Sequence, residues 1–253
     1  MLRTRVIPCL LVHNSGLVKT VKFKDPKYVG DPINAVKIFN EKEADELIVL
    51  DIDASVKGRE PDYSLIQKLA VESRMPLCYG GGVKTAEQAR KIIGLGVEKV
   101  ALSSEVMTNP SVVLEVSKAV GTQSVVVVFD VKKKLLGGYD VYINNGKQKI
   151  KKSFTQLLKE VEQLGIGEIV VNSIDQDGVM NGYDLALAET VREIISSPLT
   201  ILGGAGTLDD IVKLQEKLGV IGAAAGSLFV FKGPYKAVLI NYPSYDAKLA
   251  LLK

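Results

Sequence analysis

Two clusters of glycine and serine recur along this chain in the same order. Gly80-Gly81-Gly82 follows one apolar run and Ser103-Ser104 ends the next. About 120 residues later, Gly203-Gly204-Ala205-Gly206 follows an apolar run and Gly226-Ser227 ends the next, a self-similarity at half-chain scale. Glycine lets backbone amides approach an anion closely, and free N–H groups at a following helix start point toward negative charge. The chemistry these residues suggest is phosphate binding. One cradle is expected at Gly81, Gly82, Ser103 and Ser104, and the other at Asp177, Gly178, Gly203, Gly204, Gly226 and Ser227. Two such cradles facing each other suit a small molecule with a phosphate at each end. The competing reading is that the glycines merely serve tight strand-to-helix turns.

The other chemical candidate is Asp130, which ends the run Ser124-Val125-Val126-Val127-Val128-Phe129. A carboxylate is expensive to bury among apolar side chains without purpose, so catalysis or substrate contact is expected of it ahead of turn capping. The first half has Leu11 at the matching place, so the repeat breaks at a residue unable to carry a proton. Lys19, Asp51 and Ser173 are further candidates for contacts to substrate or to a covering loop, with Asp51 and Asp177 able to orient hydroxyls or Lys19. Cys9 and Cys78 lie inside apolar runs and read as buried free thiols. With the lone His13 they make no metal-ligand spacing, and no metal or cofactor is expected.

These residues must be held by regular elements. Strands are expected near 6–11, 46–51, 76–80, 99–103, 124–130, 168–173, 199–202 and 221–225, several of them apolar throughout, as strands buried on both faces are. Amphipathic helices are expected over 32–42, 64–73, 86–95, 111–119, 153–164, 185–196 and 208–218. About eight strands alternating with about eight helices predicts a single-domain (β/α)8 TIM barrel over 1–253, with half-barrels of about 1–120 and 121–253. An open doubly wound sheet fits less well, because a half-chain repeat favours closure about a pseudo-twofold axis. Residues 132–152 break the rhythm: Tyr139 to Ile143 alternates at period two between glycine turns, which predicts a β-hairpin after strand five. The long stretch from His13 to Asp31 reads as a mobile lid on the same face. At the opposite ends of the strands stand Arg5, Glu46, Lys99 and Glu168. Taken alone, their simplest reading is separate solvated charges.

Composition narrows the class further. A net charge of +3 is small for 253 residues and gives no nucleic-acid footprint. Lys132 to Lys134 and Lys147 to Lys152 read as a solvated loop. Neither a secretory leader nor an apolar stretch of spanning length is visible, so a cytoplasmic protein without a membrane partner is expected.

Taken together, several motifs resemble the cyclase subunits of imidazole glycerol phosphate synthase: Leu2-Arg3-Thr4-Arg5-Val6-Ile7-Pro8-Cys9-Leu10, Leu50-Asp51-Ile52-Asp53-Ala54-Ser55, Gly80-Gly81-Gly82-Val83, Ser173-Ile174-Asp175-Gln176-Asp177-Gly178, Gly182-Tyr183-Asp184 and Gly203-Gly204-Ala205-Gly206. The resemblance covers essentially the whole chain. It implies a barrel docked by its N-terminal face on a glutaminase subunit, with ammonia passing through the barrel to a ligand phosphorylated at both ends. It also implies that Arg5, Glu46, Lys99 and Glu168 form the entrance to that passage, which reverses the reading of them as separate charges. Glu98 stands where the family usually has a shorter carboxylate near the glutaminase interface.

One position departs from the resemblance. The family's cyclisation uses carboxylates at the ends of strands one and five, and here the first is Leu11. Losing a general acid or base typically costs about 10²–10⁴-fold in rate, and His13, two residues on, is a poor candidate to replace it. With Lys19-Thr20-Val21-Lys22-Phe23-Lys24 and Pro26 to Pro32, this profile resembles the cyclase-like paralogues that accompany surface-polysaccharide genes. That resemblance implies ammonia supplied to an N-acetyl-sugar amidotransferase for lipopolysaccharide synthesis. The alternatives are an authentic histidine-biosynthesis cyclase and a ligand-binding module that regulates the glutaminase.

Overall fold

The computed structural model describes residues 3–251; Met1 and Leu2, the latter part of the first motif above, lie outside the described residues. Eight parallel strands close into a barrel: β1 (Arg5–His13), β2 (Leu47–Asp51), β3 (Leu77–Gly80), β4 (Lys99–Leu102), β5 (Val125–Lys133), β6 (Glu168–Ser173), β7 (Leu199–Leu202) and β8 (Gly222–Ala225). Each pairs with the next in sequence, and β8 pairs with β1, so the sheet has no open edge. The open doubly wound alternative is thereby excluded.

Both faces of the sheet are buried, which is why these strands read as continuous Val, Ile and Leu. Ile7, Cys9, Ile48, Cys78, Ala101, Val126, Val128, Val170, Leu202 and Ala224 fill the lumen. The alternate residues, such as Val6, Leu10, Val127 and Phe129, pack outward under the helices. The helices are cut to length by local chemistry. Asp31 caps the helix Pro32–Glu41, which buries Pro32, Ala35, Val36 and Phe39 against the sheet. Asp62, Ser153 and Asp184 cap Tyr63–Glu72, Phe154–Gln163 and Leu185–Arg192 in the same way. The last of these ends four residues before the expected Ser196. The Glu162 carboxylate there accepts the backbone N–H groups of Ser196 and Ser197, and Pro198 follows.

β1 and β5 run past their expected ends because each continues into an antiparallel ribbon. β1 pairs with Gly16–Val21, which pairs in turn with Lys24–Gly30. β5 pairs with Tyr139–Ile143, and that strand with Gln148–Lys149. The stretch from His13 to Asp31, expected as a mobile lid, is built as a β-ribbon laid over the barrel mouth. Asp177 pins it, accepting from Thr20 Oγ1 at 2.7 Å and from the Phe23 N–H at 3.0 Å. The C-terminal segment, which carries no expected element, ends in helix Tyr245–Leu251 at the foot of the barrel. There Lys248 Nζ meets Asp45 Oδ1 at 2.6 Å. Among the described residues, no helix is long and apolar enough to cross a membrane.

Gly178 decides how closely the ribbon docks. Its φ is +68°, and a Cβ there would run into the Thr20 carbonyl. Gly178→Ala is expected to destabilise the fold by about 1–3 kcal/mol. It should also speed amide hydrogen exchange over residues 16–30 while leaving β3 and β4 protected. Unchanged exchange in the ribbon would mean that this contact does not hold it.

Candidate functional site

At the C-terminal ends of the strands, two cavities meet. One, open to solvent, spans about 790 Å³ and is lined by Lys19, Gly203, Gly204, Gly226 and Ser227 among others. The other, also open to solvent, spans about 1160 Å³, with Asp51, Gly81, Gly82, Ser103 and Ser104 in its wall. They share Leu50, Ile52, Asp130 and Asn145, so Asp130 lies between the two glycine–serine cradles. The short helices Ser104–Thr108 and Ser227–Val230 that open from these cradles have no side-chain cap, unlike the long helices described above. Their first amides thus have no capping side chain, and amides so exposed at a helix start are of the kind that can accommodate an anion.

Lys19 reaches down from the ribbon and is 5% exposed. Its ammonium donates to the Cys9 carbonyl and lies against Gly226, where a side chain would displace it. Burial holds its pKa below the usual lysine value, partly offset by Cys9 and Asp177. The carboxylate of Asp177, expected in a phosphate cradle, is taken up by Thr20 and Phe23 as described. Burial raises its pKa against these donors. Asp51 points its carboxylate at the turn after β2, accepting from the N–H of Asp53 at 2.8 Å and of Ala54 at 3.2 Å. Ser173 is buried and is not among the residues lining either cavity. Its carbonyl instead accepts the N–H groups of Gln176 and Asp177, shaping the turn that presents Gly178.

Asp130 and Leu11 stand on β5 and β1, opposite strands of the barrel, and both line the first cavity. Asn172 on β6 donates to Asp130 Oδ1 at 2.9 Å. Burial pushes the Asp130 carboxyl up to about 7, with nearby Asp177 adding to the rise and the Asn172 bond opposing it. A carboxyl of that pKa can both give and take a proton at neutral pH. His13 does not join it: its Nδ1 pairs with Asp53 Oδ1 at 2.8 Å, and it lines neither cavity. Because the folded pKa of Asp130 lies above the unfolded value, the folded state holds an extra proton between pH of about 4 and 7. Stability from this group therefore falls as pH rises through that window. Asp130→Asn is expected to leave stability unchanged near pH 4 and to raise it by about 1–3 kcal/mol at pH 8. Urea unfolding at the two pH values checks this; equal differences at both would sink it.

At the other end of the lumen the four charges close a ring. Arg5 Nη2 meets Glu168 Oε1 at 2.6 Å, and Arg5 Nη1 also meets Glu46. Lys99 Nζ meets Glu46 Oε1 at 2.7 Å and Glu168 Oε2 at 2.9 Å. The reading of separate solvated charges is thus corrected: alternation along the strands turns all four inward at one level. Thr200 donates to Glu168 as well, and Gly222 leaves the room that Thr200 needs. Burial would lower the pKa of Arg5 and Lys99 and raise that of Glu168, but the opposite charges overcome it in each case. Glu98 is exposed beside the ring, and its Oε2 accepts the Leu77 N–H at 2.7 Å.

Removing Arg5 leaves Glu46 and Glu168 with Lys99 alone of the two ring cations between them. Arg5→Ala is expected to cost about 3 kcal/mol at neutral pH. Since the folded pKa of Glu168 is depressed, its stabilisation is present above pH of about 4.5 and is lost as pH falls through the folded value. The gap between wild type and variant should therefore narrow in acid, as thermal unfolding across that range would reveal.

Asn172, Asn145, Thr200 and Gly222 are site residues that motif reading overlooks. Counting by twos from Glu168 would have found Asn172, which must face inward like Val170. Asn145 gives no such signal: it arrives from the hairpin, where its Nδ2 donates to the Ile52 carbonyl at 2.7 Å across the mouth.

A closed parallel barrel with paired glycine–serine turns around a polar site at one end and a charged ring at the other defines the class: a (β/α)8 barrel protein. Residues 5–236 match the family described as Histidine biosynthesis protein, and this chain belongs to that family. It is 59% identical over its whole length, and 98% of the relative's, to a Vibrio vulnificus protein provisionally named imidazole glycerol phosphate synthase subunit hisF3. It is 52% identical, over 97% of the chain and 98% of the relative, to the similarly provisional hisF2 of Pseudomonas aeruginosa. To the imidazole glycerol phosphate synthase subunit HisF of Exiguobacterium sibiricum it is 38% identical, over 90% of this chain and 91% of that one.

Proposed function

We propose that this barrel is a cyclase-subunit-like partner of a glutaminase that receives ammonia at the Arg5–Glu46–Lys99–Glu168 ring and binds a bisphosphorylated ligand at the mouth. It passes the ammonia on for amidation of a surface-polysaccharide sugar rather than closing an imidazole ring. The observation that carries the reading is Leu11 opposite Asp130: the facing strand offers no carboxyl as the second acid–base group, and the other carboxylates of the mouth, Asp51 and Asp177, are taken up by the turn after β2 and by the ribbon. The lumen supports it too. Above the ring it is packed with apolar side chains and the buried thiols of Cys9 and Cys78, surroundings that neutral ammonia would cross at a far smaller desolvation cost than ammonium. The delivery to an N-acetyl-sugar amidotransferase rests on the likeness of the ribbon and Leu11 to surface-polysaccharide paralogues. Glu98, beside the ring, belongs on this reading to the glutaminase contact.

A second reading, an authentic histidine-pathway cyclase, draws support from Asp130 itself, whose pKa of about 7 suits one group to serve as both base and acid. The two separate in a cyclase assay with the synthase's bisphosphorylated substrate and an ammonium salt at high pH, which bypasses the glutaminase. The wild-type chain is expected to bind the substrate without measurable turnover. Leu11→Asp is expected to gain about 10²-fold or more. Wild-type turnover in the ordinary enzymatic range of about 1–10³ s⁻¹ would instead establish the second reading.

A further inference from the structure

The hairpin that continues β5 ends in a tip with no packing at all. Leu135 and Leu136 are 103% and 102% exposed, side by side in the turn closed by the Lys134 N–H to the Gly138 carbonyl. Lys132, Lys133 and Lys134 lead into them, all exposed. From 132 to 152 the chain carries seven lysines against one aspartate, while its total net charge is only +3. Asp140 pairs with Lys149, and Lys152 reaches Glu160. None of the ion pairs found among the described residues takes up Lys132 to Lys134. Sequence alone reads this run as a solvated loop; two fully exposed leucines at its apex do not fit that reading.

A second projection from the same end of the barrel repeats the pattern. Beyond β8, the turn Gly233 to Lys236 presents Tyr235 at 94% exposure between Lys232 and Lys236, with no acidic residue in the turn. Its base lies beside the mouth ribbon, where Lys27 Nζ sits 5.2 Å from the Phe231 ring centre. The ribbon adds exposed Lys22 and Lys24.

We propose that this C-terminal-end rim of the barrel is a docking surface for an anionic lipid bilayer, with Leu135, Leu136 and Tyr235 entering the headgroup boundary and the flanking lysines meeting lipid phosphates. The charge is of the complementary sign and clustered, as juxtamembrane basic segments are. Leucine and tyrosine beside lysine are the side chains that settle at such a boundary. The apolar groups sit on separate convex tips. A folded protein would need a matching notch for each, whereas a fluid interface needs none. The surface lies at the end opposite the charged ring, so a partner on the ring face leaves it free. The inference stands apart from the proposed acceptor chemistry, since it concerns where the mouth faces and not what reacts there.

Vesicle co-sedimentation of the full chain tests it. Wild type is expected to partition about tenfold or more better onto vesicles of phosphatidylcholine and phosphatidylglycerol than onto phosphatidylcholine alone at about 0.1 M salt, and to lose that preference at about 0.5 M. The double variant L135S/L136S should lower partition onto the anionic vesicles by about tenfold or more, and K132S/K133S/K134S should abolish the anionic preference. V220S, which removes an exposed apolar residue at the ring end, should change nothing. Absence of partition onto either vesicle overturns the proposal and leaves a protein as the occupant of the tips. Partition that survives both tip variants overturns it as well.

Discussion

Alternation of side chains along a strand, locked by closure of the barrel, is the constraint on which everything else here depends. In β1 it sends Arg5, Ile7, Cys9 and Leu11 inward in order, from the ring through the lumen to the mouth. In β6 it does the same for Glu168, Val170 and Asn172. A slip of one residue would turn these side chains under the helices and bring Val6, Leu10 or Val171 into the lumen. Closure forbids the slip, because β1 is held on one side by β8 and on the other by β2. Ring and mouth are thus two ends of the same strands, built by one register.

The same barrel treats buried carboxylates in two opposite ways. Glu168 has Arg5, Lys99 and Thr200 around it, and its charge is favoured despite burial. Asp130 has one neutral donor, Asn172, and burial wins. The difference is one of partners, since both groups end up largely shielded from water. Glu168, so paired, keeps its charge at the foot of the lumen. A singly bonded carboxyl at an open mouth is left near the pKa at which protons move. The structural and the chemical use of one functional group can be told apart on that basis.

How much of this was legible in the sequence depended on range. The eight strands were readable because burial on both faces leaves a continuous apolar run, and the paired glycine–serine clusters marked the mouth. Asp130 stood out as a charge ending such a run. The ring was not readable as a ring from four residues spread between 5 and 168, and needed either the resemblance or the closed barrel. The β-ribbon was missed because its strands are exposed on one edge and rich in lysine. What orders it is Asp177, more than 150 residues away. The extra helices at Ser104 and Ser227 are too short to show a period, and the C-terminal segment is fixed by Tyr242 and Lys248 against Asp45, contacts no local pattern announces.

Leu11 has a consequence for its neighbours as well as for proton transfer. Two carboxylates facing each other across a mouth raise each other's pKa by repulsion, and each responds when the other titrates. With leucine on β1 that repulsion across the mouth is missing; Asp177 adds a smaller one, and Asp130 owes its high pKa chiefly to burial in the apolar wall that Leu11 and Leu50 help to build. Lys19 is shifted by the same dryness in the opposite direction, its charge disfavoured in the cavity that Asp130 shares. Lys19, Asp51, Asp130 and Asp177 are thus all shifted toward neutrality by burial at this mouth. A phosphate at Gly226 and Ser227 would favour the charged lysine, and charge on Lys19 would in turn favour a charged carboxylate nearby. On the proposed reading, ligand binding and protonation at this mouth would be linked through the low dielectric that the leucine preserves.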